Sequence, residues 1–188
     1  MPNITVFIIP AILIIVLVLV IYVISYIIKT SNKMERQKVK IEEADSGIDV
    51  ALAKRFDVLT KLRDSAKSYL KAEQETLFQT IQFRSHMPIA QKEQVNEQMN
   101  EAFRQINVVS EAYPELKSSS LFIGMQKAIA DTEEHLQAAR RLYNSNVSTL
   151  NQWVVSFPSS VVANSKNLQT MKMFEVEAIK RNDVDMSI

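Results

Sequence analysis

The first 28 residues of this chain contain no charged side chain, and this run limits the possible folds more than any other feature. Its apolar part covers residues 4–28, from Ile4 to Ile28, and consists mostly of Ile, Val and Leu. Twenty-five residues of helix reach about 38 Å, whereas the hydrocarbon core of a bilayer is about 30 Å thick. The sequence therefore predicts one membrane-spanning helix.

A cleaved signal peptide is the main alternative interpretation of this run. Signal peptides carry basic residues before a shorter apolar stretch and a small-residue cleavage site after it. The sequence shows no such basic residue, no such site and a longer stretch. A buried core helix would need polar residues on one of its faces. We therefore expect an uncleaved membrane anchor.

Basic residues follow the apolar run closely, and none precedes it. This juxtamembrane group consists of Lys29, Lys33, Arg36, Lys38 and Lys40. Positive charge is retained on the cytoplasmic side of a membrane, so the N-terminus should lie outside and the C-terminal part in the cytoplasm. The same residues can also approach anionic lipid headgroups.

Helical periodicity continues through the rest of the chain and is interrupted near the prolines at 88, 114 and 158. A residue that precedes proline disfavours the helical region, so these positions mark helix ends. Apolar residues recur every three or four positions between them, which is the spacing of one helix face. The pattern predicts helices over residues 31–85, 89–112, 120–156 and 161–179.

The predicted fold class is all-α, with one N-terminal transmembrane helix followed by an antiparallel bundle of three long helices plus a short fourth helix. Short links between consecutive helices favour antiparallel neighbours. Gly47 is expected to mark a bend. The predicted divisions are a membrane anchor over 1–28, a juxtamembrane helical stalk over 29–47, a helical bundle over 48–179 and a frayed tail over 180–188.

Composition argues against most catalytic and cofactor chemistry. The chain has no cysteine, two glycines and two histidines, and its net charge is +1. Disulfides, thiolate metal sites and a cysteine nucleophile are thus excluded, and phosphate-binding glycine loops are scarcely available. His86 and His135 lack metal-ligand spacing, and His135, beside Glu133 and Glu134, is interpreted as a surface residue. We predict no catalytic residue, metal, cofactor, small-molecule substrate or nucleic-acid partner, and no enzymatic activity.

Four charged residues are candidates for a polar layer between helices: Arg55, Asp57, Glu133 and Arg140. Arg140 falls on the apolar face of the third predicted soluble helix, and Glu133 lies seven residues before it. An unpaired buried charge is costly, so an arginine in that position needs a carboxylate partner. We interpret the group as an ion-paired layer that fixes helix register; a ligand site is the alternative.

Two asparagines, Asn144 and Asn151, lie seven residues apart at the edge of the same apolar face. Amides in such positions can bond to a neighbouring helix and fix its register. We therefore predict a structural role for both. A polar binding site lined by them is the alternative.

Three sequence blocks resemble those of the LemA family. They are IDVALAKRFDVLTKLRDSAKSYLKAEQETL at 48–77, EAYPELKSSSLFIGMQ at 111–126 and EEHLQAARRLYNSNVSTLNQWVVSFPSSVVA at 133–163, the last with Ala-Arg-x-x-Tyr-Asn and Phe-Pro. Departures are small, such as Phe56 where tyrosine is common. The resemblance implies a bacterial inner-membrane protein with one N-terminal span and a cytoplasmic antiparallel helical bundle. It supplies no catalytic residues.

These features together predict a structural or interaction protein that acts as a scaffold or in assembly at the inner membrane. Expected partners are membrane lipid, contacted by the anchor, and either further copies of the chain or other envelope proteins. A sensor or regulatory subunit, in which the membrane helix is coupled to the bundle, is the alternative, and an enzyme is a remote one.

Overall fold

A computed structural model of the chain describes residues 5–70 and 78–175. These residues form the helices α1 (Thr5–Ala66), α2 (Ile89–Ala112), α3 (Pro114–Lys117), α4 (Ser120–Val155) and α5 (Ser159–Ser165), with a 3-10 turn at Lys67–Tyr69. The described part of the chain contains no β-strand, so the predicted all-α class is confirmed there. Ile4, residues 71–77 and the predicted tail at 180–188 lie outside the described residues.

The N-terminal part of α1 has the properties expected of a membrane span. An 18-residue window of this helix has a mean hydropathy of 3.2, and none of that window is buried by the rest of the protein. Among the described residues, this is one helix long and apolar enough to cross a membrane. Leu13 and Ile14, for example, are more than half exposed. An apolar surface of this kind is stable in lipid and unfavourable in water.

Contacts within the chain group the residues into two compact units. Unit 1 comprises the described residues of Met1–Lys40 and Ser148–Met171, and unit 2 those of Ile41–Val147 and Lys172–Ile188. The segment 29–47, predicted as a stalk, carries buried residues in both units, among them Met34 in unit 1 and Ile41 in unit 2. It is therefore a packed part of α1.

Helix α1 passes through Gly47 without interruption and ends at Ala66, well before the predicted end at residue 85. A 3-10 turn and an extended Leu70 follow. Helices α2 and α4 lie close to their predicted ranges, because Pro88 precedes one and serines precede the other. Their apolar faces match the spacing from which they were predicted.

A continuous cluster of buried apolar side chains forms part of the core of unit 2. Its members are Leu59, Leu62, Ala66, Phe78, Ile81, Val95, Met99, Ala102, Ile106, Val109, Leu116, Phe122 and Ile129. They come from α1, α2, α4 and the residues between these helices. Full burial of each large side chain contributes roughly 1.5–3 kcal/mol, so this cluster strongly favours the packing of the three helices.

Contacts between α1 and α2 show that these two helices run in the same direction. Asp49 pairs with Lys92, whereas Arg55, further along α1, bonds to Asn100, further along α2. The predicted antiparallel arrangement is therefore wrong for this pair. Just before α2 begins, the backbone N–H of His86 already bonds to Asp49 within α1, as a parallel course requires.

Helix α4 runs antiparallel to α1. A Cβ placed on Gly47 would lie 4.0 Å from the Cβ of Ala139, whereas Ser65 donates a 4.0 Å hydrogen bond to the sulfur of Met125. Later residues of α1 thus contact earlier residues of α4. A Cβ at position 47 would make an ordinary van der Waals contact with Ala139, so the two helices are in contact there.

Helix α5 is shorter than the fourth soluble helix predicted over 161–179. It ends at Ser165, and Asn167 adopts a left-handed conformation with φ of 53°. The N–H of Leu168 then donates to the carbonyl of Ala163 at 3.0 Å, as in a helix C-terminal capping motif. The described residues after Ser165, up to 175, are not helical.

The α1–α4 pairing predicts a disulfide in a chain that has no native cysteine. The Cβ separation at Gly47 and Ala139 falls within the range of about 3.5–4.5 Å found in disulfides. We expect the G47C/A139C variant to oxidise to a crosslinked monomer. The link should raise the free energy of unfolding, measured by denaturant titration, by about 2–4 kcal/mol.

G124C/A139C is the matched control, because no described side chain lies within 4 Å of a Cβ placed on Gly124. It should remain reduced under the same oxidising conditions. Equal crosslinking of both pairs, or of neither, would contradict the described packing of α1 against α4.

Candidate functional site: buried charges and a clamped C-terminal segment

Lys92 of α2 is fully buried, so its charge requires close carboxylate partners. Its Nζ lies 2.7 Å from Asp45 Oδ1 and 2.7 Å from Asp49 Oδ1, both on α1. Asp49 also accepts the backbone N–H of His86 at 2.9 Å. The two aspartates are four residues apart, so they project from the same face of α1. Together they neutralise the ammonium group and hold it between the helices.

Sequence reasoning missed this cluster, although the pattern contained a signal. Lys92 lies three residues before Val95 and seven before Met99, and both of these are buried on the apolar face of α2. A lysine in register with such a face needs buried carboxylates. Asp45 and Asp49 supply them from one helix face.

Arg55 of α1 is the centre of a second buried group. It is 5% exposed, and its guanidinium bonds to Glu133 of α4, to Asn96 Oδ1 at 3.0 Å and to Asn100 Oδ1 at 2.6 Å, both on α2. The structure therefore brings together Arg55 and Glu133, two of the four residues of the predicted polar layer. The two asparagines were not predicted. Asp57 is exposed and does not belong to this buried group.

An open pocket of about 390 Å³ lies beside Arg55. Its polar lining includes Asn100, Glu133 and Arg104. Arg104 is exposed and pairs with Glu101 at 2.8 Å. A hydrogen bond from Gln105, followed by that from Arg104, lowers the pKa of the Glu101 carboxyl. Each guanidinium at this pocket already has a carboxylate partner, so the pocket offers no uncompensated charge.

Arg140 does not pair with Glu133, contrary to expectation. Its guanidinium carbon lies 4.5 Å from the centre of the Phe174 ring, and this cation–π contact takes the place of a close carboxylate. Burial lowers the pKa of Arg140, whereas the charge of Glu133 raises it and that of Arg55 lowers it. Glu133 forms its ion pair with Arg55 instead. The guanidinium of Arg55 is more deeply buried than that of Arg140.

Asn144 binds the backbone of Phe174 through both ends of its amide. Its Nδ2 donates to the Phe174 carbonyl at 2.8 Å, and its Oδ1 accepts the Phe174 N–H at 2.8 Å. The predicted partner of this amide was a neighbouring helix. The observed partner is non-helical chain, whose backbone groups have no bonds within a helix and therefore need partners of this kind.

Asn151 makes the same two bonds within unit 1. Its Nδ2 donates to the Met171 carbonyl at 2.9 Å, and its Oδ1 accepts the Met171 N–H at 2.8 Å. Met171, like Phe174, lies in non-helical chain, so its backbone groups also take a side-chain amide as partner.

Two further side chains hold the end of the described chain in unit 2. The Tyr143 hydroxyl donates to the Lys172 carbonyl at 3.2 Å, and Glu93 accepts the backbone N–H of Glu175 at 2.6 Å. Burial, and then the negative charges of Asp45 and Glu93, raise the pKa of Tyr143. The phenol therefore remains protonated and able to donate well above neutral pH.

The predicted juxtamembrane basic residues are mostly accessible. Lys29, Lys33, Arg36 and Lys40 are exposed. Lys38 is half-buried and lies 3.7 Å from Glu35, which also bonds to Lys166 at 2.7 Å. The hydrogen bond from Lys166, and then the charge of Lys38, lower the pKa of Glu35. Within the described ranges, no group of three or more acidic or histidine side chains is arranged to hold a metal ion.

Comparison with known proteins assigns the chain to a family. Residues 44–187 match the model of the LemA family. The chain belongs to the LemA family. A relative, Protein LemA of Metamycoplasma hominis, is 30% identical over 165 residues, which cover 83% of this chain and 74% of the relative.

The contacts of Arg140, Tyr143 and Asn144 explain the Ala-Arg-x-x-Tyr-Asn motif at 139–144, through which the chain resembles the LemA family. Its Arg140 and Asn144 both engage Phe174, and its Tyr143 bonds to the carbonyl of Lys172. The three polar side chains of the motif thus converge on one short stretch of non-helical chain. In this member of the family the motif organises backbone packing.

Replacing Lys92 should strongly destabilise unit 2. The Lys92→Met variant fills a similar volume but leaves Asp45 and Asp49 facing each other without a cation. We expect the free energy of unfolding, followed by circular dichroism in denaturant, to fall by about 3–5 kcal/mol. Adding Asp45→Asn and Asp49→Asn should recover part of this loss.

The exposed Lys127 of α4 provides the control for this substitution. Lys127→Met should change the free energy of unfolding by less than about 0.5 kcal/mol. A similarly small effect of Lys92→Met would mean that the buried pair does not contribute as described.

Replacing either asparagine by aspartate should weaken its hold on the backbone. In Asn144→Asp and Asn151→Asp a carboxylate oxygen takes the place of the donor and faces a carbonyl. Each should lower the free energy of unfolding by about 1–3 kcal/mol. Tryptic cleavage after Lys172, followed by mass spectrometry, should become faster in Asn144→Asp.

Gln152→Glu makes the same chemical change at an exposed residue next to Asn151. It should be within about 0.5 kcal/mol of the parent. Equal stability of Gln152→Glu and the two asparagine variants would rule out a stabilising role for the bonds from Asn144 and Asn151 to the backbone.

Proposed function

We propose that this LemA-family protein is a single-pass scaffold or assembly protein of the bacterial inner membrane. The observation that carries the proposal is the apolar window of α1, which is wholly exposed and is followed by the exposed basic residues Lys29 and Lys33. Such a surface needs lipid around it. The basic residues favour an outside N-terminus and a cytoplasmic C-terminal part.

The use of the buried charges supports a structural role. Lys92 and Arg55 are each bonded to carboxylates or amides that come from other helices of unit 2. Groups arranged in this way set helix register and direction. The most strongly desolvated charges of unit 2 are thereby committed to its fold, and its outer surface is left for contacts with partners.

The proposed partners are further copies of this chain or other envelope proteins. Several large apolar side chains of unit 2 are exposed, among them Leu142 and Leu121, at 58% and 57%. Burial of such side chains against another protein is favourable because it removes apolar surface from water. These positions are therefore suited to probes of association.

One cysteine tests both membrane side and association. In cells that make Leu142→Cys, an impermeant maleimide applied from outside should not label the chain, whereas it should after lysis. A permeant bis-maleimide should then give a discrete crosslinked product, which mass spectrometry identifies as a second copy or an envelope protein.

Lys127→Cys is the control, because this residue is exposed on α4 and polar. It should report the same membrane side and give less crosslinked product. Labelling of intact cells at both positions would overturn the proposed orientation, and absence of any discrete product from Leu142→Cys would count against association through this surface.

A further inference from the structure

Unit 1 contains an apolar groove of about 360 Å³. One wall is formed by the C-terminal end of the candidate span, with Tyr22 and Tyr26. The other wall is formed by the corner between α4 and α5, with Phe157, Pro158 and Val161. All of its lining side chains are apolar or aromatic.

The corner exposes more apolar surface than a water-facing turn normally does. Phe157 is 84% exposed and Val161 61%, and Val155, at the end of α4, is 69% exposed. Contiguous exposed apolar residues mark contact with another molecule or with a membrane. The corner therefore presents a surface that favours an apolar environment.

Two lysines follow the tyrosines of the α1 wall on the same side of the helix. Tyr22, Tyr26, Lys29 and Lys33 follow one another at intervals of four, three and four residues, so they share one face of α1. Aromatic residues at the end of a span lie at the level of the headgroups. Lysines just beyond them extend their ammonium groups towards phosphates.

We propose that this groove binds a phospholipid of the bilayer. An acyl chain lies between Tyr26 and Val161, the phosphate lies near Lys29 and Lys33, and Phe157 inserts into the interfacial layer. Continuity favours lipid as the occupant, because the groove opens from the same exposed face that the span presents to the bilayer. The inference rests on the proposed membrane anchor.

Fluorescence quenching by brominated lipid tests the proposal on the full chain. Trp153 is the chain's one tryptophan, so Trp153→Phe provides a background in which Phe157→Trp is the single reporter. The protein is reconstituted in nanodiscs of phosphatidylcholine and phosphatidylglycerol with bromine at a shallow acyl position. We expect the reporter at 157 to lose most of its emission relative to unbrominated nanodiscs.

Two matched reporters separate the possible failures. Val16→Trp lies within the span and Val39→Trp beyond it, and these valines are exposed to a similar extent as each other, at 50% and 53%. Position 39 lies eleven residues after Ile28, about 16 Å along the helix. The reporter at 16 should be quenched and the reporter at 39 should not.

An unquenched reporter at 16 would overturn the membrane anchor itself. Quenching at 16 together with no quenching at 157 would overturn the lipid groove and leave the anchor intact. Quenching at 157 that appears only after dilution to one chain per nanodisc would show that a second copy occupies the groove, and would likewise overturn the proposal.

Headgroup contact is tested in the same reporter background. Quenching at 157 should be stronger in nanodiscs with phosphatidylglycerol than without it, because the two lysines attract the anionic lipid more strongly than zwitterionic phosphatidylcholine. Lys29→Gln with Lys33→Gln should reduce this difference. An unchanged difference would overturn the role of these two lysines in holding the phosphate.

Discussion

The burial of Lys92 is the interaction on which the arrangement of unit 2 depends. A fully desolvated ammonium group requires carboxylates at close distance, and both of its partners, Asp45 and Asp49, lie on one face of α1. This requirement fixes where the start of α2 meets α1. With Arg55 bonded further along the same two helices, it also fixes their common direction. Buried charges contribute little net stability but strongly disfavour other registers.

Side-chain amides bond to backbone groups near the end of the described chain. The described residues after α5, up to 175, are not helical, so their N–H and carbonyl groups need partners from elsewhere. Asn144 and Asn151 each supply one donor and one acceptor to a single residue. Arg140 adds a contact to the ring of Phe174. Partly buried polar residues of α4 thus replace the backbone bonds that a helix or a sheet would supply.

Unit 1 differs from unit 2 in that it exposes a large apolar surface. The exposed window of α1 and the Phe157 corner place apolar side chains outward, whereas unit 2 packs a large cluster of apolar side chains in its interior and exposes others, such as Leu121 and Leu142. The hydrophobic effect makes these two patterns suited to different surroundings. The proposed role of the protein, anchored in lipid and available to partners, follows from that contrast.

Local patterns in the sequence determined the apolar span, the all-α class and the extents of α2 and α4, because helix periodicity and proline positions act over a few residues. The sequence also pointed to Arg55 and Glu133 as members of a polar layer, but it assigned Glu133 to Arg140, whereas the structure pairs Glu133 with Arg55. Tertiary structure alone decided the parallel course of α1 and α2, the burial of Lys92 and the non-helical end held by Asn144. These features depend on contacts between residues distant in sequence, where desolvation of charges and backbone groups outweighs local helix preference.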